Sequence, residues 1–440
     1  MTQAGPAKRG CVVIGGGMAG LSAAVRIAEA GHAVTLVEAA DALGGRSRST
    51  DVAGRPADLG FQSVFTAYPE TSRFIELIGL RAADLIAFDR GAVFHDGLDW
   101  QKMGLGPRSL HRFDALTRGD VLRLGRLVAE CRASSVQRLL DGDAQDVGME
   151  EYLRMRGFSG RAIEGFFRPL FGVITLDPGL DSDAGYFRFL LRMLALGPAA
   201  IPVEGHGMIA DWAAAALVQR GGTVRTDAGV HEIRMGADGG ADGVVLADGE
   251  FLAARSVVVA AGPADARRLM LPHDPAVADA LDLQPAGVTT LAYALDRSFH
   301  RGRTIVLNAA PRGARPRVDL VCQESNLTRP GQGAPHVLLV TSVHGEDGPP
   351  DVDALQGEMA RIAGRWNPGY DWGRHARLAE VVVHPFAQFR VPPGVRRALP
   401  GPRTRVPNVV LAGDVTHHPS LEGAVASGRV AADIVSALEA

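Results

Sequence analysis

Residues 10–38 carry the sharpest change of hydrophobic period along the chain. Cys11-Val12-Val13-Ile14 is a short apolar run rich in β-branched residues, the pattern of a strand buried on both faces of a parallel sheet. A glycine turn follows, Gly15-Gly16-Gly17-Met18-Ala19-Gly20. Beyond it Leu21, Ala24, Val25 and Ala28 recur at helical spacing, with Arg26 and Glu29 on the opposite face. Gly31 stands where a helix C-terminal glycine belongs. Val34-Thr35-Leu36-Val37 then reads as a second strand ending on Glu38. The pattern predicts one βαβ unit of about 30 residues.

Thr71 to Leu80 has a helical period, and about 110–200 is helix-rich, with arginines spaced through Leu and Phe runs. Residues 222–259 alternate as strands and break at Asp238-Gly239-Gly240 and Asp248-Gly249, which are turn sequences. Ser256-Val257-Val258-Val259-Ala260-Ala261-Gly262 and Val409-Val410-Leu411-Ala412 are two more buried strands, each running into glycine. Residues 286–345 hold strand-like stretches such as Val337-Leu338-Leu339-Val340, and a helix closes the chain. Buried parallel strands therefore fall at the beginning, middle and end. The expected architecture is one α/β domain made of discontinuous segments (1–85, 200–275 and 376–440) with an α+β domain inserted in two pieces (86–199 and 276–375). At about 150 residues per domain the length of 440 suggests three units; interleaving reduces them to two.

Composition narrows the function. The net charge of −3 argues against nucleic acid, which requires a basic surplus or stripe. Cys11, Cys131 and Cys322 are scattered, with no metal or disulfide spacing, so neither a metal site nor a disulfide framework is expected, and a reducing cytoplasm is. The first ten residues are too few and too polar for a signal peptide, and no 18-residue uncharged apolar stretch predicts a spanning helix. The 54 glycines are an excess that points to close backbone approaches. Only Lys8 and Lys102 are lysines, which removes most lysine-based mechanisms.

Three motifs carry chemistry. In the first, Gly15, Gly17 and Gly20 form GxGxxG between a strand and a helix: Gly15 for the tight turn, Gly17 for approach to a pyrophosphate, Gly20 for helix–strand packing. Met18 and Ala19 open the helix, whose free N–H groups face the phosphates. Glu38, 18 residues after Gly20 and followed by Ala39, is placed to accept from ribose hydroxyls. In the second, Gly44-Gly45-Arg46 offers a fixed positive charge to the diphosphate. In the third, Gly413-Asp414 ends a strand and Glu422-Gly423-Ala424 begins a helix, suited to a ribityl chain and to the pyrimidine edge of a flavin.

Together with Asp58-Leu59-Gly60 and Pro202-x-x-Gly205-x-Gly207-Met208, these elements resemble the FAD-binding framework of the phytoene desaturase/flavin amine oxidase superfamily. Phe167-Arg168-Pro169-Leu170-Phe171-Gly172 is similar to a substrate-domain stretch of its desaturase-like members. The resemblance implies a glutathione-reductase-like, Rossmann-type FAD domain with an inserted α+β substrate domain. It implies FAD contacts at Gly15, Gly17, Gly20, Glu38, Gly45, Arg46 and Asp414, and a backbone contact to adenine at Val230. Met18, Ala19, Ala39, Gly44, Gly60, Phe61, Gln62, Gly262, Gly413, Glu422, Gly423 and Ala424 complete the expected cofactor set.

The family's amine oxidases place a lysine near the flavin N5, and neither Lys8 nor Lys102 lies at that place in the sequence. The C-terminal block holds His417-His418-Pro419 in place of cage aromatics, and no cysteine for a covalent flavin. No second GxGxxG provides a pyridine-nucleotide domain, so electrons are expected to leave to oxygen, a quinone or another carrier. The phenylalanines at 166, 167, 171, 187 and 189 suggest either a greasy tunnel or a helical core, and residues 186–203 suggest either a membrane-dipping surface or a packed helix. Acid–base candidates are few: His384, His417 and His418. The expected reaction is dehydrogenation or desaturation of a small lipophilic, isoprenoid-like substrate by hydride transfer to flavin N5. A lysine-free amine oxidase and a redox-neutral isomerase stand as alternatives.

Overall fold

A computed structural model of the chain describes residues 10–439 apart from positions 59, 61, 62, 97–99, 105, 106, 111, 143–145, 312, 314–316, 330–332, 346 and 347. The first sheet aligns Thr223–Arg225, Val34–Val37, Gly10–Ile14, Phe251–Val259 and Val409–Leu411 in parallel. The beginning of Phe251–Val259 also pairs antiparallel with Ala241–Leu246, which pairs with Val230–Met235. Ile14 lies opposite Val37 and Val259, and Val259 opposite Leu411. That register brings the turns after four strands to one sheet edge, where ligands of doubly wound sheets bind. Helices Met18–Glu29, Gly207–Gln219 and Leu421–Glu439 cover this sheet. The first and last pack so closely that a Cβ on Gly428 would stand 2.3 Å from the Ala19 carbonyl oxygen.

The second sheet runs Ala376–Phe389, Pro285–Leu295, His336–His344, Leu320–Cys322, Ile305–Asn308, Gly91–His95, Trp100–Gly104. Only Ile305–Asn308 beside Gly91–His95 is a parallel pair. Ala376–Phe389 follows Pro285–Leu295 from end to end, Ala376 opposite Leu295 and Phe389 opposite Pro285. The sequence boundary at 376 thus falls too early: this strand completes the substrate sheet, and the chain returns to the first sheet only after it. The pattern of 376–389, half-exposed along one face, lacks the continuous apolar run that marks the buried parallel strands.

A helical lobe stands against the second sheet. It contains Arg118–Ala133, Met149–Met155, a π-helical turn Ile163–Phe167, Arg168–Ile174 and Ala184–Leu196. Buried Asp120 ties it together, accepting from the Thr117 cap and from the Ser159 N–H and hydroxyl. The segment 186–203 resolves as a packed helix followed by the short strand Ala199–Pro202. Tyr186, Phe187, Phe189, Leu190, Leu191 and Met193 are all buried, Tyr186 and Leu190 at the edge of the cleft described below. Among the described residues no helix is long and apolar enough to cross a membrane.

Candidate active site

A cleft of about 480 Å³ opens where the glycine edge of the first sheet meets the second sheet and the helical lobe. Its nucleotide end is backbone. Gly15 has φ +104°, and a Cβ there would meet the Ala260 carbonyl oxygen at 2.6 Å. A Cβ on Gly20 would stand 1.9 Å from the Gly15 oxygen, so helix and strand meet through bare glycine. Gly17 is different: nothing lies within 4 Å of its missing side chain, which faces open cleft. Gly262 is equally open and lines the same cleft. Helix Met18–Glu29 begins here with no side-chain cap and no acid in its first turn, leaving N–H donors and a positive dipole end for an anion. These features fit a pyrophosphate.

Glu38 borders the cleft and braces the turn: its carboxylate accepts from the Gly16 N–H at 2.6 Å and the Ala40 N–H at 2.9 Å. Gly44 pairs back to the same turn through its N–H on the Gly16 carbonyl, and Gly45 crosses Gly17 with a left-handed φ of +55°. Arg46 spans the cleft to Asp414 at 2.9 Å and donates to the Ala387 carbonyl at 3.1 Å. The nearby carboxylate holds the guanidinium proton more firmly than usual. Two expected cofactor residues, 368 positions apart in sequence, are thereby brought into one ion pair. Gly413, with φ +146°, leads the chain into Asp414 where it meets Arg46, and its N–H is held by the Ser427 hydroxyl.

The structure gives two residues of the last helix structural duties. Glu422 does not line the cleft. Its carboxylate accepts from the N–H groups of Glu70 and Thr71 and from the Thr71 hydroxyl, capping helix Pro69–Leu77, and burial raises its pKa. Gly423 is required by packing, since a Cβ would reach 2.1 Å from the His418 carbonyl oxygen. Pro419, Ser420, Leu421 and Ala424 are the residues there that face the cleft. Val230 also lies away from the cleft lining, and its carbonyl accepts from Arg268. Ala39 is exposed beside the Glu38 corner. Phe61 and Gln62 lie outside the described residues.

The other end of the cleft is aliphatic side chains. Leu170, Val173, Ile174, Leu176 and Leu190 come from the helical lobe, Val288, Ile305 and Leu320 from the second sheet. The five phenylalanines of the lobe do not line it. Phe166, Phe167, Phe171 and Phe187 interlock, three pairs edge-to-face with centroids 4.7–6.1 Å apart and Phe167 stacked on Phe171 at 6.3 Å, and Phe189 packs on His418. They form the core behind the wall, and Leu170, Val173 and Ile174, between and beyond them in sequence, are the wall itself. Val173 also borders a second cavity of about 660 Å³ on the far side of helix Arg168–Ile174. Arg168 is an ion-pair partner, bound to Glu150 and Glu164 and to two carbonyls.

Of the three histidine candidates only His384 reaches the cleft, across from Gly60, whose Cβ position lies 3.5 Å from the ring. His418 is buried on Phe189 and Tyr186, and loss of hydration drives its pKa down to about 3. His417 is bonded to Thr416, and its pKa is lowered chiefly by burial. Neither lines the cleft. The sequence reading missed Tyr68 and Tyr186, which do. Tyr186 donates to the Pro419 carbonyl, and burial raises both phenols well above their ordinary range, so both stay neutral. They come from separate segments that no local motif links. Gln388 also lines the wall; its amide N–H reaches the Ile174 carbonyl, while its oxygen is buried without a partner. Among the described residues no lysine lines the cleft, and Lys102 is exposed on the outermost strand of the second sheet.

A family model described as flavin containing amine oxidoreductase matches residues 18–436. The hydroxysqualene dehydroxylase of Rhodopseudomonas palustris is 29% identical over 456 residues, covering 97% of this chain and 98% of its own. The 15-cis-phytoene desaturase of Solanum lycopersicum is 22% identical, covering 96% of this chain and 77% of its own. The crystal structure of an oxidoreductase from Methanosarcina mazei superposes with a TM-score of 0.74 at 17% identity, covering 96% and 99% of the two chains.

Proposed function

The chain belongs to the flavin containing amine oxidoreductase family, with FAD as its cofactor, and from that premise we propose that it dehydrogenates or desaturates an apolar, isoprenoid-like substrate. The observation that carries this reading is the composition of the inner cleft: a wall of aliphatic side chains with two neutral tyrosines and no lysine among the described residues. Such a wall binds by excluding water and offers no counter-ion to a substrate ammonium. The full-length similarity to a hydroxysqualene dehydroxylase and a phytoene desaturase supports the same substrate class.

Gly15, Gly17, Gly20 and the helix start at Met18 and Ala19 would hold the pyrophosphate, Glu38 the adenosine ribose, and Arg46 with Asp414 the junction of diphosphate and ribityl chain. FAD, when bound, supplies the acceptor for two electrons and a proton as a hydride. The protein's part is to orient the reacting carbon and keep water out. Leu170, Val173, Ile174 and Leu190 fix where the hydrocarbon lies. His384 is the titratable side chain placed to take a proton where the reaction releases one. Electrons leave to oxygen, a quinone or another carrier.

Anaerobic mixing of holoprotein with isoprenoid hydrocarbons and alcohols on one side, and with primary amines on the other, tests the proposal. Loss of the visible flavin absorbance with the isoprenoids alone is expected; loss with amines alone overturns it. Turnover of an isoprenoid without any net bleaching or acceptor consumption would replace it with redox-neutral chemistry.

A further inference from the structure

Behind the wall of the cleft lies a buried cluster to which the proposed reaction assigns no role. Asp58, His206 and Glu324 are each less than one-tenth exposed, and Glu324 is fully buried. They come from three parts of the chain: the strand Pro56–Asp58, the residue before helix Gly207–Gln219, and the 3-10 turn Glu324–Asn326 that follows the substrate strand Leu320–Cys322. Asp58 is the hub. One carboxylate oxygen stands 2.5 Å from the His206 ring nitrogen; the other accepts from the Ser49 hydroxyl at 2.6 Å and the His206 N–H at 2.8 Å. The Asp58 N–H lies 3.2 Å from both oxygens of Glu324. Gly205, with φ +81°, is required at this point, because a Cβ there would meet the Ser49 hydroxyl at 2.5 Å and the Asp58 carboxylate at 2.9 Å.

Two carboxyl groups this close and this deep do not both ionise. His206 and Ser49 supply hydrogen bonds to Asp58, and they hold its carboxylate ionised. Glu324 carries the proton: burial and the neighbouring Asp58 charge raise its pKa well above the ordinary carboxyl range. The Cys322 thiol, also buried beside the two acids, stays neutral for the same reasons.

Each arm of the cluster is a short covalent step from the cleft. Asp58 is two residues from Gly60, Glu324 is four from Leu320, and all of Gly44, Gly60 and Leu320 line the cleft. Helix Gly207–Gln219 reaches it through Ala210, whose Cβ lies 3.4 Å from the Cβ position of Gly44. We propose that Glu324, which meets the Asp58 N–H with both carboxyl oxygens, is a positioning residue that fixes the substrate sheet to the cofactor cradle and so sets how tightly FAD is retained. The proposal rests on the cleft being the FAD site. Raising the pH through the elevated Glu324 pKa places a second negative charge beside Asp58 and pushes the two sides apart. An acid whose folded-state pKa is raised contributes fully below the ordinary carboxyl value, and its contribution is lost as pH rises through the folded value.

The test is FAD release from holoprotein, followed by flavin fluorescence from about pH 5 to about pH 9. Wild type should release FAD about tenfold faster at the alkaline end, whereas Glu324→Gln, which keeps shape and neutrality, should show a flat profile. Glu324→Ala should release FAD faster at every pH. A Glu324→Gln profile that tracks wild type, or a Glu324→Ala protein that retains FAD as wild type does, overturns the proposal. If Glu324→Ala does not fold, the comparison of wild type with Glu324→Gln still decides. A purely structural role would lower the melting temperatures of both variants without separating the Glu324→Gln release profile from that of wild type, and that result also counts against it. Protein that binds no FAD at any pH would sink the cofactor assignment instead.

Discussion

The two ends of the cleft are built on opposite plans. The nucleotide end is backbone: glycines at 15, 17 and 20, a bare helix start and a crossing glycine at 45, all between residues 15 and 45. The inner end is side chains drawn from helices near 170 and 190 and strands near 288, 305, 320 and 384. A pyrophosphate is recognised by amide N–H groups, which any sequence has, so the constraint falls on where side chains must be absent. A hydrocarbon is recognised by shape, which many combinations of aliphatic residues satisfy. The first plan leaves a motif in the sequence; the second leaves almost none.

Breaking the nucleotide end should give the largest effect. Gly20→Val drives a branched side chain into the Gly15 carbonyl, 1.9 Å from its Cβ position. Overpacking of that severity costs about 3 kcal/mol, and the purified variant should contain no flavin, with its melting temperature lowered. Flavin content near that of wild type would mean the close helix–strand contact is not needed. Arg46→Ala should act at the same end but more mildly. It strands Asp414 without its ion-pair partner and should weaken FAD binding about tenfold, the scale of one charge-assisted contact in a half-exposed site. An unchanged FAD affinity would place the diphosphate elsewhere. The inner end should respond in the reverse sense. Val173→Phe fills part of the aliphatic wall, so FAD affinity should stay put while KM for an apolar substrate rises about fivefold. A fall in flavin content with KM unchanged would erase the division between the two ends.

The same contrast explains what could be read from the sequence. The βαβ unit, the glycine turn, Glu38 and Gly413-Asp414 were legible because each is a local pattern with one physical purpose, and the parallel register carries them to one edge. Glu422 and Gly423 also carry structural duties that sequence does not reveal: Glu422 caps helix Pro69–Leu77 and Gly423 packs on His418. The lobe phenylalanines left two readings open because burial and ligand contact demand the same residue type; geometry separates the core at Phe167 from the wall at Leu170. Tyr68, Tyr186 and the Asp58–His206–Glu324 cluster were invisible because their members come from segments far apart in the chain. Ala376–Phe389 was assigned to the wrong sheet because a half-exposed antiparallel strand carries a weaker pattern than a buried parallel one.

An aliphatic cleft, with no lysine among the described residues that line it, fits the proposed apolar substrate. Single-turnover reduction of the holoprotein under anaerobic conditions tests it most directly. Bleaching of the visible flavin absorbance by an isoprenoid substrate, with primary amines inert, is the predicted result; bleaching by amines, with isoprenoids inert, would contradict it.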